Sequence, residues 1–371
     1  MSGSGGTGGT GGTGGTGGTG GTGGTGGTGG SPNLTFTGLG SFLGSGADPV
    51  YDPMLVQGLQ ITEQAITHVA NPYPGGEANE LTFSSPANMD LWADWVRSSL
   101  YLTDFLKDLN WHTDRHHHTV HLEFRGHRFG DFKRPHMSSF RQQLKYMRAY
   151  LDQRPDRTAE IVSQLGFPTP YFMMVLGLQA TPNHFTLELI AITQVLASHV
   201  AMVVKHHLAC RRPDRIGHRV MPMIPTPAHG SFPSAHATEA FAVAEVLRSF
   251  VEIHGYHYPD VEARQALLSK LAERIAVNRT VAGVHYPIDS WAGSVLGRAV
   301  GQIVLAKCGA ASMVDGYAYR AEGERDFYVH EFLMGDNPAF GVQKTSSFEI
   351  GPSPLFEFLW RKASSEFVLV R

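Results

Sequence analysis

Cysteine, runs of like charge and strand-like alternation are all scarce in this 371-residue chain. Two cysteines, Cys210 and Cys308, supply neither a disulfide scaffold nor a four-thiolate zinc site. With 30 Lys and Arg against 33 Asp and Glu, the formal charge is −3. No long basic run and no nucleic-acid motif accompanies it, which argues against a nucleic-acid partner. A membrane helix wants about 20 mostly apolar residues. The longest apolar stretch, Leu187 to Val204, is broken by Glu188, Thr193, Gln194, Ser198 and His199. It is expected to be a buried core helix, with no membrane span. No signal peptide is visible, so the expected location is soluble and cytoplasmic, although the N-terminal repeat could have replaced a targeting segment.

Residues 1–31 are Met1 followed by Ser, Gly and Thr, mostly as repeated Gly-Gly-Thr. Such a segment buries too little to offset the entropy of ordering and is expected to be a flexible linker or tag. Residues 32–371 are expected to form a single domain. Residues 32–90, rich in Gly, Pro, Asn and Ser, predict loops with one short helix. Gly38, Gly40, Gly44 and Gly46 lack the strand–helix context of a dinucleotide loop. Helical spacing then dominates. Trp92, Val96, Leu102, Leu106 and Leu109 predict a helix over 90–109. Phe140, Leu144, Met147 and Leu151 predict another, closed by Pro155. Phe185 to Val203, Phe241 to Val251, Leu267 to Ile275 and Trp291 to Ile303 predict four more, the last with Asp289 as its N-cap. The fold expected is mainly α, helices packed in bundles, with few or no strands. Residues 310–371 are less periodic, with a short docking helix over 355–360.

Three segments carry the chemistry. Lys205 and Arg212 lie seven apart at the end of the long helix, and Pro213 follows. Taken alone, two cations there would simply complement the helix dipole. Ser234, after Pro233 and before Ala235 and His236, opens the next helix. It offers a hydroxyl and free N–H groups to an anion, or an ordinary N-cap. Arg279 adds a planar oxyanion donor. Six residues on, His285 is followed by Asp289, which can hold one imidazole nitrogen and leave the other free. Together these are the parts for a tetrahedral oxyanion passing through a trigonal-bipyramidal state. There are three cations, neutral donors at Ser234 and the Ala235 N–H, a nucleophile or ligand at His285 and a proton shuttle at His236.

Lys205-x6-Arg212-Pro213, Pro233-Ser234-Ala235-His236 and Arg279-x5-His285-x3-Asp289 resemble the signature of one superfamily. It comprises the vanadium-dependent haloperoxidases, the bacterial non-specific acid phosphatases and the type 2 lipid phosphatases. The resemblance is specific across 205–289 and extends to a catalytic core of about 185–305. Ala235 departs from it in place of glycine, and Asn278 in place of serine.

In a haloperoxidase the resemblance implies vanadate on His285. Lys205, Arg212, Ser234, the Ala235 N–H and Arg279 would hold its oxygens, and His236 would act as acid and base. Hydrogen peroxide, a halide and small organic molecules would be the substrates. His229, five residues before Ser234, resembles the bromoperoxidases. The expected activity is therefore vanadate-dependent oxidation of bromide, and of iodide, by a homo-oligomer. Catalysis is expected from His236, His285, Lys205, Asp289 and His229. The alternative the resemblance implies is a soluble acid phosphatase working through a phosphohistidine on His285, since phosphate can occupy the same site. A different class is suggested by the histidines at 112, 116, 117, 118, 121 and 127, namely a non-enzymatic metal- or anion-binding protein. Their spacing matches no zinc pattern, and a solvated or interface role is expected for them. Cys210 is expected to pack rather than react.

Overall fold

The computed structural model describes residues 53–69, 80–321 and 323–367. The Gly-Gly-Thr segment and the glycines at 38–46 lie outside these. Helix α1 (Pro53–Val69) runs 17 residues, longer than the short helix expected over 32–90. Helix α2 (Asp94–Leu106) is shorter than the span predicted, because Leu109 already belongs to strand β1 (Leu109–Asp114). Strands β2 (Thr119–Phe124) and β3 (His127–Lys133) follow, then helix α3 (Met137–Ala149). Pro155 does not close α3 but sits in the first turn of α4 (Arg154–Ser163), where its missing N–H costs nothing. Helix α5 (Thr169–Leu176) leads to the central helices α6 (His184–Leu208), α7 (Ala235–Ile253), α8 (Val261–Val281) and α9 (Pro287–Lys307). Strand β4 (Met313–Tyr319), a short α10 (Val329–Leu333), β5 (Val342–Glu349) and α11 (Pro354–Ser365) complete the order. Helix α11 is the docking helix expected near 355–360. It buries Phe356, Phe358, Leu359 and Ala363 and lies against α6.

The architecture is mainly helical, but the expectation of few or no strands is corrected. Five strands form one mixed sheet in the order β1-β2-β3-β4-β5. Only the β3–β4 pairing is parallel. Strand β2 does alternate: Val120, Leu122 and Phe124 are buried while Thr119, His121 and Glu123 are half-buried. Thr119, His121 and Glu123 stand between the apolar positions, and the histidine-rich stretch around them masks that period of two. Strand β4 packs on α9, so the sheet covers one flank of the helical core.

The core helices place the site because their buried faces continue into its charged residues. On α8, Leu268, Ala272 and Ile275 form a buried stripe, and Arg279 is its next position. On α6 the buried line Ser198, Ala201, Lys205, Leu208 does the same for Lys205. Helices α7 and α9 meet along Gly293, Gly297 and Gly301, spaced by four on α9. A Cβ there would lie 2.6 Å from the Ser234 carbonyl oxygen, 2.4 Å from that of Thr238 and 2.8 Å from that of Ala242. Only bare backbone admits that approach. It brings the start of α7, with Ser234, against the start of α9, where the Ser234 N–H donates to the Asp289 carbonyl at 2.9 Å.

Candidate active site

The chain leaves α6 through Ala209, which adopts the left-handed conformation (φ 48°) that commonly ends helices. This turn delivers Arg212 back toward the core. Lys205 is buried, and its ammonium donates to the carbonyls of Gly230 and Ser231, each at 2.9 Å. Arg212 donates through Nε to the His229 carbonyl at 3.0 Å and through Nη1 to the Val284 carbonyl at 2.9 Å. Its Nη1 also lies 2.9 Å from Nε2 of His285, and its Nη2 lies 3.2 Å from Nδ1 of His229. The loop 229–231 is thus fastened to both cations.

His285 and Asp289 sit one turn apart at the start of α9. Asp289 is not the N-cap. Tyr286 holds that position, and Asp289, three residues on, accepts the Tyr286 N–H at 3.0 Å. The same oxygen, Oδ2, lies 2.9 Å from Nδ1 of His285. Burial, with the charge of Arg212 beside it, pushes the His285 pKa well below the usual imidazole value. The ring is therefore neutral. Its Nδ1–H donates to Asp289, and the lone pair on Nε2 is presented to the Arg212 guanidinium. Burial raises Asp289 to about 6 against the opposing pull of Lys205.

Arg279 is fully buried, and burial lowers it only to about 10, so it stays charged. It donates to main-chain carbonyls of Gln164 and Ile161 at 3.3 and 3.2 Å, and to Gln164 Oε1 at 3.2 Å. Its Nε is buried with no hydrogen-bond partner among the described residues. Burial, and then the charge of Arg279, hold His236 well below the imidazole range. Its Nε2–H donates to the Gln164 carbonyl at 2.8 Å, which leaves Nδ1 with its lone pair. Ser234, wholly buried, caps α7 by accepting the Ala237 N–H at 3.4 Å. Ala235 is the first residue of α7, where amides have no intrahelical partner.

All nine residues singled out in the sequence therefore fall in one buried region. Direct contacts link His229, Arg212, His285, Asp289 and Ser234, while His236 and Arg279 share the Gln164 carbonyl. Sequence reasoning missed Gln164. Its side chain accepts from Asn278 at 3.0 Å as well as from Arg279, so it fixes the guanidinium from behind. Two buried guanidinium groups, Arg212 and Arg279, and the Lys205 amine, whose pKa burial pulls well below the usual lysine value, face mostly carbonyls and imidazoles, and Arg279 holds an unsatisfied donor. A buried charge in that state is costly unless an anion completes it. The donor set, with the His285 imidazole beside it, has the chemistry that a tetrahedral oxyanion calls for.

The histidines at 112–127 form no such constellation. His112 and His121 stack at 4.6 Å, and His121 pairs with Asp131 at 2.6 Å. His117 pairs with Asp114 at 2.6 Å. Among the described residues no group of three or more His, Cys, Asp or Glu side chains could hold a metal ion.

Residues 186–310 match the model of the PAP2 superfamily. The chain is 33% identical over 133 residues to the decaprenylphosphoryl-5-phosphoribose phosphatase of Mycobacterium tuberculosis, over 36% of this chain and 67% of that protein. Two solved structures resemble it more distantly. One is the transmembrane PAP2 type phosphatidylglycerolphosphate phosphatase from Bacillus subtilis, with 15% identity, a TM-score of 0.36, and coverage of 59% of this chain and 93% of that one. The other is a bacterial vanadium-dependent iodoperoxidase, with 19% identity, a TM-score of 0.33, and coverage of 44% and 47%.

The expectation of a soluble, cytoplasmic chain without a membrane span is corrected on one finding: a described segment, His184–Arg215, is long and apolar enough to cross a membrane. The polar residues that seemed to break the apolar run do not do so. Glu188 pairs with Arg97, Thr193 donates to the Leu189 carbonyl, Gln194 accepts from Thr169, and His199 bonds the Val195 carbonyl. Polar groups satisfied in this way are compatible with an apolar surrounding.

Proposed function

The chain belongs to the PAP2 superfamily, whose members are enzymes and include phosphatases and haloperoxidases, and on that premise we propose that it hydrolyses phosphate monoesters through a phosphohistidine on His285. The observation that carries the reading is the His285 ring. Its Nδ1–H is held 2.9 Å from Asp289, and its Nε2 lone pair faces the buried Arg212 guanidinium at 2.9 Å. The kinship with a phosphatase over 133 residues supports it in preference to the bromide oxidation expected from the sequence.

Lys205, Arg212, Arg279, the Ser234 hydroxyl and the Ala235 N–H bind the phosphoryl oxygens. Arg279 Nε gains the partner it lacks. His285 Nε2 attacks phosphorus, the P–O bond to the alcohol breaks, and Asp289 stabilises the imidazolium that forms. The entering dianion offsets the repulsion from Arg279, so His236 can take up a proton on Nδ1 and deliver it to the leaving oxygen. Neutral again, His236 accepts a proton from water as that water attacks the phosphohistidine, releasing phosphate and restoring His285.

The test is turnover of p-nitrophenyl phosphate, with radiolabelled phosphate trapped on the protein by rapid quenching. The expected label is acid-labile, base-stable and absent from His285→Ala. Hydrolysis that proceeds in His285→Ala, with no label trapped on the wild type, rejects the mechanism.

A second reading rests on His229, which the structure seats against Arg212. The same cradle suits vanadate, which shares the charge and tetrahedral geometry of phosphate, and the orphaned Arg279 Nε fits either anion. His285 would bind the metal and the five oxyanion donors its oxygens. Bound vanadate would supply Lewis-acid activation of peroxide. Bromination of a β-diketone dye with orthovanadate, peroxide and bromide, without phosphate-ester turnover, would favour this reading.

A further inference from the structure

The last turn of α6 has two sides. Lys205 points inward to the cradle, while the adjacent His206 and His207 are exposed. The hairpin turn 115–118, between β1 and β2, reaches this outer side, and a groove of about 510 Å³ lies between turn and helix. Arg115, His118, Arg134, His206 and His207 line it. Of its lining residues, Asp114 is the one carboxylate, and it is engaged within its own turn. It accepts the N–H groups of His116 and His117 at 2.9 and 3.0 Å and meets Nδ1 of His117 at 2.6 Å. The turn is also fixed from the other side. The Arg134 N–H donates to the His118 carbonyl at 2.8 Å, with His118 in the left-handed region at φ 51°.

Two guanidinium and three imidazole groups thus converge on one concavity whose walls hold their spacing. The two guanidinium charges repel one another and concentrate a positive potential unless an anion sits between them, and the imidazoles add further N–H donors. Paired guanidinium forks suit the oxygens of a phosphate in particular. No residue of the cradle lines the groove, since Lys205 is turned to the Gly230 and Ser231 carbonyls.

We propose that this groove is a second anion site, separate from the cradle, that takes a phosphate-bearing ligand on Arg115 and Arg134. The phosphate can be that of a soluble ester or of a lipid headgroup, and binding assays distinguish them. The full chain and an Arg115→Ala/Arg134→Ala variant are titrated with inorganic phosphate by calorimetry. Both are also sedimented with phosphatidylglycerol and phosphatidylcholine vesicles. The variant should keep wild-type melting and p-nitrophenyl phosphate turnover, because both arginines are exposed and outside the cradle. It should bind one equivalent of phosphate fewer than the wild type, or lose at least tenfold in affinity for phosphatidylglycerol vesicles. A lost phosphate equivalent with unchanged sedimentation assigns a soluble ester. Lost vesicle binding with unchanged phosphate stoichiometry assigns a headgroup, and loss of both shows that either is accepted. Equal stoichiometry together with equal vesicle binding overturns the proposal.

Discussion

Gly293→Ala isolates the contact that joins the fold to the site. Gly293 lies one turn past Asp289 on α9, and a Cβ there would fall 2.6 Å from the Ser234 carbonyl oxygen and 2.7 Å from the Ala237 Cβ. Both distances are under the 3.0 Å that real Cβ contacts respect, and the first neighbour is backbone, which cannot swing aside. Helix α7 must therefore move away from α9 by a few tenths of an ångström at its very start. Overpacking of this kind costs about 1–3 kcal/mol. Replacing glycine by alanine within a helix returns about 1 kcal/mol. The net loss should be about 1 kcal/mol, too little to unfold a domain of ordinary stability. Activity should suffer more. Ser234 belongs to the cradle, its N–H is tied to the Asp289 carbonyl, and a misplacement approaching 1 Å can cost about 10²-fold in rate. Urea melts give the stability, and kcat/KM on p-nitrophenyl phosphate gives the activity. Gly58→Ala is the control, because nothing lies within 4 Å of its added methyl in helix α1. It should be neutral or slightly stabilising and fully active. A Gly293→Ala protein with wild-type turnover would refute the claim that this close approach sets the cradle.

Asp289→Asn should lower kcat by about 10²–10⁴-fold, because the His285 imidazolium loses its counter-charge. With the Asp289 carboxyl raised to about 6, wild-type activity should fall as pH drops through 6, and the variant's residual activity should lack that limb. The same shift has a stability sign. A carboxyl raised in the folded state contributes stability that is full below its ordinary value of 3.8 and lost as pH rises through about 6. Melting temperatures of Asp289→Asn should therefore improve relative to wild type between pH 5 and pH 8. Arg279→Gln removes the unsatisfied Nε donor and a buried charge. The expected loss is about 10²–10³-fold in kcat, read by steady-state kinetics. Arg97→Met leaves Glu188 buried without the partner that now sits 2.6 Å away, so chemical denaturation should show a loss of about 3–5 kcal/mol.

The helices were legible from apolar residues at helical spacing, though not always from the right face. Leu267, Leu271 and Ile275 mark α8, but Leu267 is exposed, and the buried stripe is Leu268, Ala272 and Ile275, which Arg279 extends into the site. The sheet was harder to read. Strand β5 exposes nearly every side chain, so it has no period to find, and β2 shows its alternation over only six residues within a histidine-rich stretch. Gln164 was illegible for another reason. Two of its site contacts, to His236 and Arg279, use its main-chain carbonyl, a group every residue carries. No residue type at that position announces such a role, which exists only because α4 ends where α8 passes.

The two departures from the family pattern show how much a cradle tolerates and why. A glycine before the histidine is required only if the backbone there is left-handed or a methyl would collide. Ala235 is the first residue of α7, has ordinary helical geometry and is buried without displacing the Ser234 cap. Its N–H still opens into the helix N-terminus, so the methyl changes the shape of the pocket wall and leaves the donor in place. Asn278 stands where the resembled pattern has serine, and its side chain is engaged with Glu160, Gln164 and Arg157. It bonds Glu160 and Gln164 at 3.0 Å each, and through Gln164 it steadies the arginine beside it. Both substitutions preserve the positions of charges and N–H groups and alter only what surrounds them. Oxyanion chemistry demands this, since the transition state is held by oriented donors rather than by the side chains that carry the backbone past it.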